Sequence, residues 1–341
     1  MKFDAVVGNP PYQQMDGGNA ASATPIYHHF VEQAKGLDPQ LLSMIIPARW
    51  FGGGRGLDTF RSAMLHDNQL CVIHDFVNAA DCFPGVEIKG GVCYFLWQQG
   101  HEGPCLVHSH QGSRESSALR PLLEPGMETF IRNDIQLSVL RKVRRKGGTS
   151  FTRWLHAGRY FGFHTKVEWD EKGGQGRIQT ADGKSFIPVY AAKRRRDDVK
   201  IYVHGGVCWV ARSQVPRHPE AIDCYKVLLP RSGNPGGSIL GRPRLSEPGS
   251  CSSNTYVVAV PPAGKLSQDQ AQKVLSYLKT RFVRFLIAAK TSTQDMPPRA
   301  YDFVPAQDFS QTWTDEKLYQ TYGLTAREIQ EIERLIPIME D

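Results

Sequence analysis

The chain has no uninterrupted apolar run of 18 residues, no Cys-x-x-Cys pair and no secretory leader pattern at its start, and each absence closes a class of protein. Without the long run, no helix is expected to cross a membrane. The opening MKFDAVVGNPPY lacks the basic segment, apolar core and small-residue cleavage site of a signal peptide, so a cytoplasmic location is expected. Seven cysteines, an odd number without close pairs, argue against a disulfide framework and against a zinc site. Most are expected to be buried small hydrophobes, and no metal is expected. The acidic residues form no PD...ExK-like nuclease cluster, so no DNA cleavage is expected of this chain.

What is present suits a soluble globular protein. The 341 residues, 40% apolar and 22% charged, can bury two cores, and two domains are the default expectation. The net charge of +7 is unevenly placed. Residues 1–100 hold 6 basic and 9 acidic side chains, whereas residues 139–200 hold 16 basic and 6 acidic ones. The runs RKVRRK (Arg141, Lys142, Arg144, Arg145 and Lys146) and KRRR (Lys193, Arg194, Arg195 and Arg196) lie in that second stretch. Such a field attracts a polyanion; the plainer alternative is a solvated basic face on an ordinary domain.

The apolar run at residues 3–7 reads as a short buried strand that halts at Gly8. In TPIYHHFVEQA, Thr24 suits a helix N-cap and Pro25 the first helical position. LLSMIIPA reads as a second buried strand, followed by the loop RWFGGGRG and a helix over residues 57–65. CVIHDFV and VCYFLW then read as an antiparallel pair. Strand, helix, strand, helix and two strands describe half of an open α/β sheet. Residues 101–150 read as a polar, serine-rich connector ending in a helix over 134–146. Gly, Pro and short apolar stretches over 151–262 predict an irregular, mostly β domain. Ser267 and Gln270 form a capping box before one helix carrying Val274, Leu275, Leu278, Phe282 and Phe285 on a face; Thr325 and Glu328 open a last helix.

VVGNPPY is the stretch that carries chemistry. Two consecutive prolines fix two backbone dihedrals and remove two N–H donors, so Asn9, Pro10 and Pro11 form a stiff loop with carbonyl oxygens free to accept. The Asn9 side chain adds another acceptor. Rigid acceptors at a strand end suit a substrate NH2 group whose lone pair is conjugated, because bonding to both N–H groups returns electron density to nitrogen and readies it for an electrophilic methyl group. Tyr12 supplies a flat face for an unstacked planar ring. A simple turn ending the strand is the alternative reading of Asn-Pro-Pro.

VVGNPPY resembles the catalytic motif of the N6-adenine DNA methyltransferases of restriction-modification systems, which take their methyl group from S-adenosylmethionine. IYHHFVEQA, IIPARWFGGGRGLDTFR and FPGVEIKGGVCYFLW are similar to the segments after that motif, and YDFVPAQDFSQTWTDEKLYQTYGLTAREIQEIERLI to the C-terminal tail of large proteins of this kind. The resemblance implies catalytic Asn9, Pro10, Pro11 and Tyr12, a double-stranded DNA partner and a target-recognition domain. The basic runs make Arg141, Lys142, Arg144 and Arg145, ahead of that domain, and Lys193 to Arg196, within it, the candidates for DNA contact. Arg153, Trp154, Arg159, Tyr160, Phe161 and Phe163 are equally candidates for contact or for core.

NPPY-like tetrapeptides also serve glutamine and RNA amino-group methyltransferases, so those remain alternatives, as does a DNA-binding module without activity of its own. The resemblance further implies a glycine-rich, FxGxG-like cofactor loop with an acidic residue beyond it. HGGVCWV, RSGNPGGSILG and VPPAGKLS do not match it. The expectation is therefore the C-terminal half of a Rossmann-like methyltransferase sheet at 1–110, a connector at 111–150, a mixed α+β recognition domain at 151–300 and a helical tail at 301–341. A truncated or split enzyme is expected, its cofactor pocket completed by an upstream-encoded subunit or domain, with little activity from the chain alone. An unpaired apolar edge on the first strand would follow, with poor solubility.

Overall fold

The computed structural model describes residues 3–14, 24–54, 56–234, 237–291 and 294–339. Packing divides the chain into two units, residues 1–137 and 138–341. No helix among the described residues is long and apolar enough to cross a membrane.

The first unit is built on a mixed six-stranded sheet. Its strands are β1 (Ala5–Gly8), β4 (Leu41–Pro47), β5 (Leu70–Phe76), β6 (Val92–Gln98), β7 (Cys105–Gln111) and β8 (Arg114–Arg120); a separate two-stranded ladder joins β2 (Gln13–Gln14) to β3 (Thr24–Pro25). The order across the large sheet is β1-β4-β6-β5-β7-β8. β1 runs parallel to β4 and β5 parallel to β7, while the other neighbours are antiparallel, including the expected β5/β6 pair.

Side chains alternate across this sheet with period two. Leu42, Ile46, Ile73, Phe95 and Val107 point into a core completed by Tyr27 and Val31 of α1 (Tyr27–Gly36) and by Phe60 and Met64 of α2 (Asp58–Leu65). Tyr94, His74, Phe76, His108 and His110 stand half-buried on the other face.

Three expectations change in this unit. Thr24 and Pro25 do not open a helix: the ladder to Gln13 and Gln14 keeps them extended, and α1 starts at Tyr27 after Ile26, without a side-chain cap. β1 is not fully buried, because its only neighbour among the described residues is β4; Ala5 is exposed and Val7 is 80% exposed. The serine-rich stretch is not coil but the hairpin β7/β8, in which small and polar residues alternate with Val107 and Cys105 on the core side.

α3 (Asp134–Lys146) forms where expected. Residues 151–262 of the second unit are mostly β, as expected, while helices make up much of the rest. A six-stranded sheet comprises β10 (Phe163–Trp169), β11 (Gln175–Thr180), β12 (Phe186–Tyr190), β13 (Asp198–Val203), β14 (Gly206–Ala211) and β17 (Ser250–Ser252). A four-stranded sheet joins β9 (Leu155–His156), β15 (Lys226–Pro230), β16 (Arg244–Ser246) and β18 (Tyr256–Ala259).

The predicted long helix is two: α4 (Gln268–Lys279), opened by the Ser267/Gln270 capping box, and α5 (Arg281–Lys290). Thr280 separates them. Its extended backbone ends α4, and its side chain accepts from the Val283 N–H to start α5, so one residue serves as the stop and the N-cap. α6 (Asp315–Thr321) and α7 (Ala326–Leu335) follow, α7 with the predicted Thr325/Glu328 box.

Candidate active site

The NPPY loop leaves the sheet where β1 ends. Because β1 and β4 are parallel, with Gly8 opposite Met44, the loop rises beside the C-terminal end of β4, the side of a parallel pair on which α/β sheets bind ligands. Pro10 is buried, Asn9 and Pro11 are exposed and Tyr12 is half-buried. Burying a proline here strands no N–H group, which is the local reason for the residue choice.

The exit of the loop is tied down. Ile26 N donates to the Tyr12 carbonyl at 3.2 Å, and the two-residue ladder from Gln13 and Gln14 to Pro25 and Thr24 locks the loop to the start of α1. No hydrogen bond between described residues ends on the Asn9 side chain or the Pro10 carbonyl, and of the two residues Asn9 is the exposed one. The Tyr12 hydroxyl is buried without a hydrogen-bond partner among the described residues. Burial, and then Cys82 and Cys93, raise its pKa, so it stays protonated and the ring acts as an apolar plate.

The neighbouring strand end is rigid. After Pro47 the chain makes a 3-10 turn, Ala48–Phe51, that buries Trp50 completely; its indole N–H lies 3.4 Å from Cys93 Sγ. Ala48 N donates to Gly91 O at 2.9 Å, holding the turn against the start of β6. Gly91 has φ of 81°, and a Cβ there would fall 2.0 Å from the Phe76 carbonyl oxygen, so only glycine fits. The seven cysteines are free, with Cys93, Cys105, Cys208 and Cys251 buried, as expected of small hydrophobes.

The basic candidates divide. On α3, Lys142 is spent internally: Nζ reaches Glu328 Oε2 at 2.5 Å and the Gly323 carbonyl at 2.9 Å. Arg141, Arg144 and Arg145 are exposed. Lys193 to Arg196 are exposed on the loop between β12 and β13, where Arg194 lies 3.8 Å over the Tyr190 ring and Lys193 lies 5.4 Å over Trp209. The Arg194 and Arg195 N–H groups donate to Asp198 Oδ2 at 2.9 and 2.8 Å, which gives the loop a fixed shape. Phe161 and Phe163 are core residues, and Tyr160 stacks on His218 at 4.1 Å. The aromatic partners Tyr190 and Trp209 were missed from the sequence; their signal was only the alternation of β12 and β14.

Of the three downstream glycine-bearing stretches, the two that are wholly described offer no cofactor cradle. HGGVCWV is the β13/β14 hairpin. RSGNPGGSILG lies partly outside the described residues. VPPAGKLS does join a buried strand, β18, to a helix, α4, but Pro261 and Pro262 lack the N–H groups that such a loop must present. The described residues therefore do not fit S-adenosylmethionine by themselves.

These features define a mixed α/β unit with a proline-stiffened loop at a strand end. Residues 1–83 match the Eco57I restriction-modification methylase family, which bears out the resemblance seen in NPPY. The chain is 35% identical over 147 residues to an uncharacterised adenine-specific methylase of Mycoplasma pneumoniae, an alignment covering 42% of this chain and 34% of the relative. The chain thus spans about a third of the length of the curated relative it matches. Among solved structures it is similar to the type IIL restriction-modification enzyme MmeI in complex with DNA, at a TM-score of 0.40 and 10% identity over 97% of this chain and 56% of that one. It is also similar to the type IIG restriction endonuclease BpuSI, at a TM-score of 0.33 and 11% identity over 93% and 50% of the two chains.

Proposed function

We propose that this chain forms the catalytic loop and DNA-recognition part of a site-specific, adenine-N6 DNA methyltransferase of a restriction-modification system, working in the cytoplasm with S-adenosylmethionine as donor. The observation that carries the reading is the NPPY loop: two acceptors, on Asn9 and Pro10, without a partner among the described residues, beside the half-buried Tyr12 ring at the end of β1. In this reading a flipped adenine lies on Tyr12, and Asn9 Oδ1 and the Pro10 carbonyl accept its two N6–H bonds. That pairing enriches the nitrogen lone pair, and the surplus proton leaves after nitrogen has gained its methyl group. Pro11 stiffens the loop.

The six-stranded sheet of the first unit is, in the same proposal, the C-terminal half of a Rossmann-like methyltransferase sheet; with β8 it reaches Arg120, past the 1–110 expected, and leaves 121–150 as the connector. Residues 151–300 form the target-recognition domain and 301–341 the tail. Duplex DNA is the partner, with Arg141, Arg144, Arg145 and Lys193 to Arg196 as phosphate contacts. A further segment or subunit completes the donor pocket; the edge of β1 away from β4, which has no strand neighbour among the described residues, offers it a place to pair.

A DNA-binding module without activity of its own is the second reading, favoured by the poor fit of the described loops to the donor. The deciding experiment supplies the cofactor-bearing segment by co-expression and measures transfer of labelled methyl groups to adenine in duplex DNA. Transfer that disappears in Asn9→Ala, with DNA binding retained, supports the enzyme. DNA binding without any transfer supports the module, and preference for a protein glutamine or for RNA overturns both.

A further inference from the structure

The second face of the first unit's sheet, away from α1 and α2, carries a histidine cluster that the methylation reading does not use. Parallel pairing puts His74 of β5 opposite His108 of β7, and His110, two residues on, shares that face. Antiparallel pairing then puts Glu115 of β8 opposite His110. His74 Nδ1 and His110 Nε2 lie 3.0 Å apart, and one ring nitrogen of each histidine and a Glu115 carboxylate oxygen all lie within 4.8 Å of one another.

Both imidazoles are held in place. His74 is stacked between Tyr94, at 4.4 Å and 13°, and His108, at 4.0 Å and 6°. His110 is stacked on Phe76 at 4.2 Å and 5°. Glu115 Oε1 is also 3.2 Å from His108 Nδ1, which in turn lies 2.7 Å from Ser117 Oγ, so the carboxylate has a partner beside the cluster that orients it.

We propose that His74, His110 and Glu115 bind one divalent transition-metal ion of the zinc class. Two imidazoles and one carboxylate suit Zn2+ and disfavour Mg2+ or Ca2+, which take oxygen ligands. Three protein ligands leave a fourth position for water, and the exposed Glu115 leaves a path to it from solvent. Because the ligands come from three adjacent strands, the ion staples β5, β7 and β8. The expectation of no metal considered only cysteine spacing, and this cluster arises from strand register instead.

The test uses the full chain, stripped with chelator, titrated with Zn2+ by calorimetry and with Co2+ by visible absorption. One equivalent should bind and raise the melting temperature. His74→Ala and His110→Ala should each weaken binding at least about tenfold, while His204→Ala, on the β13/β14 turn, leaves it unchanged. Glu115→Gln, on an exposed side chain, reads the same site if an alanine variant fails to fold, and should also weaken binding. Absence of one-to-one binding, or unchanged affinity in His74→Ala, His110→Ala or Glu115→Gln, overturns the proposal.

Discussion

Arg132 grips Asp75 through two parallel N–H···O bonds, Nε to Oδ2 at 2.7 Å and Nη2 to Oδ1 at 2.5 Å, and Asp75 has no solvent exposure. The third guanidinium nitrogen donates to Gly90 O at 2.8 Å, and the guanidinium lies 5.5 Å from the Phe51 ring. One side chain thus joins the end of β5, the turn before β6 and the 3-10 turn after β4. These are the strand ends beside the NPPY loop.

Removing one partner of such a buried pair leaves the other charge without compensation. Asp75→Asn is expected to cost about 3–5 kcal/mol of stability, read from the urea midpoint of the full chain. Arg132→Lys should not preserve stability, because an ammonium cannot reproduce the two-pronged contact. A loss within error for Asp75→Asn would show that the pair does not hold these ends.

Tyr12 separates ring from hydroxyl. Its hydroxyl has no partner among the described residues, so Tyr12→Phe should keep methyl transfer close to wild type. Tyr12→Ala removes the plate and should lower kcat/KM by about 10- to 100-fold, the scale of one base–aromatic stack. Equal loss in both variants would transfer the role to the hydroxyl.

The basic residues should sort by what they touch. Changing Lys193, Arg194, Arg195 and Arg196 to Ser should reduce the slope of log binding constant against log salt by about 0.9 for each side chain that meets a phosphate. Lys142→Ala should leave that slope alone and lower the melting temperature instead, because it takes the cation from the buried Glu328 carboxylate and leaves it only its neutral donors, Ser138 and Thr325. The opposite pattern would put Lys142 among the phosphate contacts and take the loop at Lys193 to Arg196 out of them.

Lys226 is fully buried on β15, with Nζ 3.0 Å from the Cys224 carbonyl oxygen and 5.7 Å from the Phe161 ring. Burial lowers its pKa from 10.5 to about 8. Between these values the unfolded chain binds more protons than the folded one, so stability rises with pH across that window and the penalty is fully present below about 8. Lys226→Met should therefore stabilise the chain by about 2–3 kcal/mol at neutral pH. The gap from wild type should narrow as pH rises toward 10.5. A gap independent of pH would point to packing alone.

The legible parts were those written in local patterns. The strands LLSMIIP and VCYFLWQ, α3 and the boxes at Ser267 and Thr325 depend on apolar runs, periodicity and capping residues within a few positions. The misread parts depended on partners distant in sequence or on competing local choices. Thr24 and Pro25 suit a helix start until Gln13 and Gln14 pair with them. The hairpin β7/β8 hides in serine and histidine because half its residues face away from the core.

By itself the sequence determined the chemistry of the NPPY loop, since consecutive prolines restrict the backbone wherever they occur and Asn9 brings its acceptor with it. Tertiary structure decided which of those groups are available: Asn9 open, Pro10 buried, the Tyr12 hydroxyl enclosed. It also decided that Lys142 is tied to Glu328 and that His74, His110 and Glu115 meet on one face. Charge and residue type are local properties, whereas register between strands and burial are set by contacts across long stretches of chain, and those contacts exist only once the sheets have formed.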